Sequence, residues 1–283
     1  MTDDQGGKEG QVGTSGSMGK ALLASDMDGT VIPLEEGARW EADVAELRRA
    51  VEERPELLLA YVTGRDFALA ERGIARFHLP VPHLLVCDVG SSLYHWTPEG
   101  FRRDQEYGAR MEQALGGLSV EDVRDVLDGV RGLTLQPLER QTSVKLSFYV
   151  APGDDHAKVL GVVQERLEAF QGRVQTVYSV RARDGTGLLD VLPAGVAKDF
   201  ALHYLHDHTG VEEDRLVFAG DSGNDVEAMM TGFNVVVVGN APGDLKEELK
   251  RRAAAEGIQE RLYFAETPYA GGVLEGCRYF GIL

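Results

Sequence analysis

Five short apolar runs, each continuous rather than alternating, restrict what this chain can fold into more than any other feature. They span residues 21–25, 57–62, 84–87, 216–219 and 235–238. A strand covered on one face alternates apolar and polar residues, whereas a continuous run implies cover on both faces, as in a parallel sheet between helices. The segments between them fit that reading. Residues 41–53 place Val44, Leu47 and Val51 at helical spacing, and Phe67, Leu69, Ile74 and Phe77 predict a second helix, bent near Gly73. The fold class expected is α/β, a Rossmann-like parallel-sheet core.

The rhythm breaks between residues 91 and 189, an interval long enough to be a domain inserted into the core. Helical patterns at 121–127 and 156–170 and strand-like runs at 144–150 and 174–180 give this interval an α+β composition. The expected organisation is a polar, Gly/Ser-rich disordered tail over 1–18, a core made of 19–90 and 190–283, and a cap over 91–189.

Charge narrows the function. The 283 residues carry 46 Asp and Glu against 29 Lys and Arg, a formal net charge of -17. Such a field repels polyanions, which argues against nucleic acid as a partner. A small anionic substrate would need a local cation or metal to reverse the sign. No apolar run reaches the length of about 18 residues that a membrane span requires, so no membrane partner is expected. Two cysteines, Cys87 and Cys277, supply no disulfide framework and fit inert thiols in a reduced cytoplasm. Oligomeric state is not legible.

Four segments carry chemistry. Asp26-Met27-Asp28-Gly29-Thr30 follows the first run, and carboxylates at i and i+2 on extended chain share a side, with Gly29 allowing a sharp turn beyond them. The pair suits a nucleophile beside a proton carrier, although aspartates also end strands and cap helices. Thr63-Gly64-Arg65 places a hydroxyl and amides where a helix N-terminus would hold phosphate oxygens. Gly220-Asp221-Ser222-Gly223-Asn224-Asp225 ends the fourth run with a density of carboxylates that capping alone does not explain. Lys198, ordinary as a helical surface lysine, gains a task here, because a carboxylate reaches phosphorus only when cations screen both partners.

In this order and spacing the four segments resemble the haloacid dehalogenase-like (HAD) superfamily of aspartate-nucleophile phosphatases. A cap between the second and third motifs is similar to the C2 type. The stretches 88–94, 189–193 and 268–276 resemble the sucrose-phosphatase-like branch. Lys198 departs locally, being flanked by Ala197 and Asp199 where relatives often have glycine. The resemblance implies that Asp26 attacks phosphorus and forms an aspartyl-phosphate. It implies that Asp28 serves as general acid and then base, with a pKa raised by crowding against other carboxylates. Thr63, Gly64, Lys198 and Asn224 would hold the phosphate. Mg²⁺ would bind Asp26, the Asp28 main-chain carbonyl and Asp221, with Asp225 behind them.

The activity implied is hydrolysis of a sugar phosphate, with sucrose 6-phosphate the leading substrate. A phosphohexose mutase of similar fold and a non-catalytic sugar-phosphate-binding protein are the competing readings. In the cap, Lys145, Tyr178, Arg181, Arg183 and Trp96 could face the cleft, though surface or core positions suit each better. His203, His206 and His208 read as a solvated helix face rather than a metal site, and Met229 and Met230 as core.

Overall fold

The computed structural model describes residues 19–34, 40–181 and 184–283. The expected tail and Arg183 lie outside them. The strands are β1 (Ala21–Ser25), β2 (Leu57–Val62), β3 (Leu84–Cys87), β4 (Ser92–Thr97), β5 (Gly100–Arg103), β6 (Leu133–Leu135), β7 (Leu146–Val150), β8 (Val174–Val180), β9 (Gly187–Pro193), β10 (Leu216–Gly220), β11 (Asn234–Val237) and β12 (Leu262–Phe264). The α-helices are α1 (Glu41–Glu53), α2 (Phe67–Arg76), α3 (Gln105–Ala114), α4 (Val120–Leu127), α5 (His156–Leu167), α6 (Lys198–Thr209), α7 (Val226–Met229), α8 (Gly243–Glu256) and α9 (Tyr269–Tyr279).

Eight strands form one sheet in the order β12-β11-β10-β1-β2-β3-β4-β5. The first six of that order run parallel, β4 adds antiparallel to β3, and β5 adds antiparallel to β4. The α/β class expected from the continuous apolar runs is the one observed. Residues of β1 alternate between two separate cores: Leu22 and Ala24 join the cluster containing Leu205, Leu249 and Phe218, whereas Ala21 and Leu23 join Val44, Leu47 and Leu274. Helices thus cover both faces of the sheet. The first of these clusters continues into Phe148 and Leu189 of the second sheet and Val163 of α5, so one apolar body links the two layers.

That second sheet is antiparallel, ordered β6-β7-β9-β8, with Val123 and Leu127 of α4 and Val159 and Val163 of α5 buried against it. The strand expected at 144–150 begins at Leu146, and the helix expected through 170 gives way to a 3₁₀ turn after Leu167. The larger sheet runs past residue 90, because the hairpin of β4 and β5 pairs with β3.

The bend expected near Gly73 is absent, since α2 runs unbroken from Phe67 to Arg76 with Gly73 buried inside it. The glycine has a different cause: a Cβ at that position would lie 2.2 Å from Arg65 Nη1. Gly73 makes room for a guanidinium. Strand order reverses between β1 and β10, one connection leaving toward β2 and the other toward β11. In open α/β sheets ligands bind outside the carboxyl ends of strands at such a switch point.

Candidate active site

Every motif residue singled out above stands at that end of the sheet. Asp26 follows β1 directly, Thr63 follows β2, Asp221 follows β10, and Lys198 opens α6. Asp26, Thr63, Lys198, Asp221 and Asp225 are all buried. Lys198 Nζ donates to Asp26 Oδ1 at 2.8 Å and to Asp225 Oδ1 at 2.6 Å, with Asn224 Oδ1 at 3.5 Å. The surface position ordinary for a helical lysine does not apply here, since Lys198 is 1% exposed.

One carboxylate oxygen from each of Asp26, Asp221 and Asp225 lies within 4.8 Å of the others. Burial, with Asp225 alongside, pushes the Asp26 carboxyl up to about 8 against the pull of Lys198. Burial and Asp225 likewise push Asp221 up to about 7. For Lys198 burial works against the charge, yet Asp225 and Asp26 more than offset it and the ammonium is held above its ordinary value. One ammonium against three carboxylates leaves negative charge uncompensated. The donors are all hard oxygens, which fits a divalent ion of the Mg²⁺ type and no soft metal.

The roles of the three carboxylates differ. Asp225 Oδ2 accepts from the backbone N–H of Asp221 and Ser222 and from Ser222 Oγ, while its Oδ1 takes Lys198. One oxygen thus holds the 220–225 loop and the other holds Lys198. Asp221 accepts from Thr30 Oγ1 at 2.9 Å, a bond that ties the 26–30 turn to that loop. Ser222 Oγ donates to Asn224 Oδ1 at 2.8 Å, which fixes the acceptor end of that amide.

Gly29 is where the turn demands its residue. Its φ is +81°, and a Cβ there would lie 2.2 Å from Asp221 Oδ2. Gly29→Ala combines a left-handed backbone, costing about 1–2 kcal/mol for a residue with a side chain, with displacement of a carboxylate from the cluster. A lower melting temperature is expected, with kcat reduced by about 100-fold, as for a misplaced reacting group. Thermal denaturation and steady-state kinetics on the same preparation check both.

Asp28 corrects one expectation. Its neighbour is a cation rather than a crowd of carboxylates: Arg65 Nε and Nη2 grip the two oxygens at 2.7 and 2.6 Å. The grip is bidentate, the geometry in which a guanidinium matches a carboxylate best. Arg65 Nη1 also donates to Leu69 O, and Arg65 N to Thr63 Oγ1 at 3.2 Å, so one residue organises the second motif and restrains Asp28. The helix N-terminus expected near Thr63 is closed by Asp66, whose Oδ1 accepts from Leu69 N at 2.8 Å. What remains open to an anion on that side is the 63–65 turn, with Gly64 exposed on the cleft wall.

A cavity of about 1070 Å³ lies between the two sheets and takes in Asp26, Asp28, Thr63, Asp221 and Asn224. Across it, Lys145, Ser147 and Asp190 line the wall given by the smaller sheet. Lys145 Nζ sits 2.9 Å from Asp88 and 3.8 Å from Asp190, which also accepts from Ser147 Oγ. Arg140 from the smaller layer pairs with Asp66 at 2.8 Å. Of the cap candidates, Lys145 and Arg181 line the cavity, and Arg181 is held by Asp184. Tyr178 instead lines a smaller pocket beside Lys198 and pairs with His156, and Trp96 packs on Phe101 in the β4–β5 hairpin. His203 and His206 lie against the ring of Phe233, His208 stacks on Tyr204, and Met229 is buried.

Sequence reasoning missed the roles of Arg65, Asp66, Asp88 and Arg140. For Arg65 a signal was present, since it adjoins Thr63-Gly64 and the acidic site demands cations. For the ion pairs that link distant segments there was none.

A parallel sheet with an inserted α+β layer, and an aspartate cluster with a buried lysine at its switch point, define a HAD-type phosphatase, a phosphoric monoester hydrolase. Within that class, residues 19–281 match the family model of Sucrose-6F-phosphate phosphohydrolase, and the chain belongs to that family. It is 29% identical over 273 residues to the mannosylfructose-phosphate phosphatase of Agrobacterium fabrum, covering 92% of this chain and 97% of that protein. A Nitrosococcus oceani protein described only as a HAD-like hydrolase is 33% identical over 269 residues, covering 92% of this chain and 72% of that one. Among solved structures, the sucrose-phosphatase of Synechocystis in complex with sucrose and phosphate has a TM-score of 0.75 and 27% identity, over 93% of this chain and 98% of that one. No helix among the described residues is long and apolar enough to cross a membrane.

Proposed function

We propose that the chain is an Mg²⁺-dependent phosphatase that hydrolyses a phosphorylated disaccharide or related glycoside through an aspartyl-phosphate, with sucrose 6-phosphate as the leading substrate. The observation that carries the reading is Asp26, buried at the end of β1 with Lys198 Nζ 2.8 Å from its Oδ1. An ammonium so placed screens the carboxylate from an incoming phosphoryl group.

In this mechanism Asp26 attacks phosphorus, the bond to the sugar oxygen breaks, and Asp28 gives that oxygen its proton. Asp28 then takes a proton from the water that hydrolyses the acyl phosphate, which regenerates Asp26. To do so Asp28 must leave the bidentate grip of Arg65. Thr63, Gly64 and Asn224 hold the phosphoryl oxygens. Asp26, the Asp28 main-chain carbonyl and Asp221 would hold Mg²⁺, which supplies charge neutralisation at the transferring group. The layer with β6 to β9 acts as the cap and sets specificity through the wall carrying Lys145, Ser147 and Asp190.

The cavity admits a substrate larger than a hexose phosphate. Its volume of about 1070 Å³ is slightly above the range of about 300–1,000 Å³ usual for small-molecule sites. A relative named for mannosylfructose phosphate and a solved relative with bound sucrose support a disaccharide. The test is inorganic phosphate release from sucrose 6-phosphate, mannosylfructose phosphate and hexose phosphates, with and without Mg²⁺ and without any bisphosphate. Mg²⁺-dependent release is expected, with kcat/KM for a disaccharide phosphate at least about tenfold above hexose phosphates, a difference of 1.4 kcal/mol in transition-state binding. Phosphate release without any bisphosphate activator excludes a mutase, and tight binding of a sugar phosphate without Mg²⁺-dependent turnover would reveal a non-catalytic protein.

A further inference from the structure

Asn240 belongs to none of the four motifs, yet it touches the turn that carries Asp28. Its Nδ2 donates to the carbonyl of Gly29 at 2.7 Å, across 211 residues of sequence. Its Oδ1 accepts from the backbone N–H of Tyr269 at 2.9 Å, at the start of α9. The two partners together fix which end of the amide is which. Tyr269 has φ +55°, a left-handed conformation that a non-glycine residue adopts only when its surroundings impose it.

The segment that presents Asn240 is itself tied down. Gly239 N donates to Thr267 O at 2.8 Å, and Lys246 Nζ donates to Gly239 O at 2.8 Å. Glu275 anchors the same segment from behind, accepting from Glu266 N, Thr267 N and Thr267 Oγ1. The 26–30 turn is therefore held from two sides. Thr30 joins it to Asp221, and Asn240 joins it to α9.

We infer that Asn240 is a positioning residue: through the Gly29 carbonyl it sets the peptide planes that aim Asp28 and its main-chain carbonyl into the site. Only a carboxamide fits both contacts. It offers a donor to one carbonyl and an acceptor to one N–H in the same plane. A carboxylate would set oxygen against the Gly29 oxygen, and alanine would leave both backbone groups without their partner.

This inference rests on the reading of Asp28 given above, and its test separates the two. Asn240→Ala and Asn240→Asp are compared with Glu275→Gln, which loosens the same segment without reaching the turn. Loss of an outer support of this kind costs about 10- to 100-fold in activity or metal affinity. In both Asn240 variants kcat on the best substrate of the panel is expected to fall by that factor, with KM within about twofold of wild type. Calorimetric Mg²⁺ titration without substrate is expected to show affinity weakened about tenfold or more.

Glu275→Gln is expected to lower the melting temperature and leave kcat and Mg²⁺ affinity unchanged. Retention of wild-type kcat by Asn240→Asp would overturn the proposal, as would an equal loss in Glu275→Gln, or a rise in KM at constant kcat. If the wild type releases no phosphate from any compound, the functional reading fails, while the Mg²⁺ titrations still report whether Asn240 positions the turn.

Discussion

Asp26→Asn is expected to lower phosphate release by at least about 10,000-fold, the scale on which removal of a covalent nucleophile acts, while leaving the fold intact. The amide keeps the shape of the carboxylate and can still accept from Lys198 Nζ, now 2.8 Å from Asp26 Oδ1. It cannot attack phosphorus. Quenched wild-type reactions should yield a labile phosphoprotein, with solvent oxygen recovered in the released phosphate after turnover in labelled water, because the water attacks phosphorus. The variant should yield neither. Normal turnover by Asp26→Asn would discard the mechanism.

The same variant carries a stability prediction of opposite sign. The Asp26 carboxyl is held near 8, above its ordinary 3.8, chiefly by burial and by Asp225. Between those values the metal-free folded state binds a proton that the unfolded chain has released, so stability falls as pH rises through that window. Asparagine does not titrate. Metal-free Asp26→Asn should therefore gain stability over wild type as pH increases from about 4 to about 8, seen as a melting-temperature difference that grows with pH.

The parts of this protein that were legible in the sequence are those where local pattern and burial coincide. The runs at 21–25, 57–62 and 84–87 became β1, β2 and β3 at those bounds because each strand is covered on both faces and has little polar residue to confuse its edges. The β4–β5 hairpin was not legible: Tyr94, His95 and Thr97 are half-buried and Trp96 is exposed, so the edge of the sheet carries no apolar run. Gly73 was misread because its cause is Arg65, a side chain from outside the helix.

The site divides along the same line. Asp26, Thr63, Lys198, Asp221 and Asp225 could be singled out because the chemistry asks for their types, and the structure gathers them, buried, at one end of the sheet. The partner of Asp28 was not, since a carboxylate beside other carboxylates is expected to be crowded, and the guanidinium that holds it arrives from the next crossover. Asn240 lay beyond reach for a related reason. Its hydrogen bond to Gly29 joins segments 211 residues apart and leaves no periodic trace.

Lys198→Met should do the second largest damage, and to stability as well as to rate. Methionine matches the stem of the lysine but withdraws the ammonium that both Asp26 and Asp225 contact. Breaking a buried ion pair from one side costs about 3–5 kcal/mol, because the partner charge is left without compensation. Here Asp26 escapes part of that cost by keeping its proton. In wild type the raised pKa of Lys198 keeps its stabilising charge in place at every pH below the ordinary lysine value of 10.5. Wild type and variant both keep the Asp26 proton below about 8, so the deficit should be nearly level up to that pH and grow above it, where the wild-type carboxylate ionises beside its ammonium and the variant's has none. Chemical denaturation at a series of pH values reads that slope. Turnover should fall about 100- to 1000-fold, as when a group that stabilises developing charge is removed. Arginine cannot restore it, since its planar fork does not fit a pocket that holds one nitrogen 2.8 and 2.6 Å from two carboxylates. A Lys198→Met variant with kcat within about tenfold of wild type would show that this ammonium does not meet the phosphoryl group.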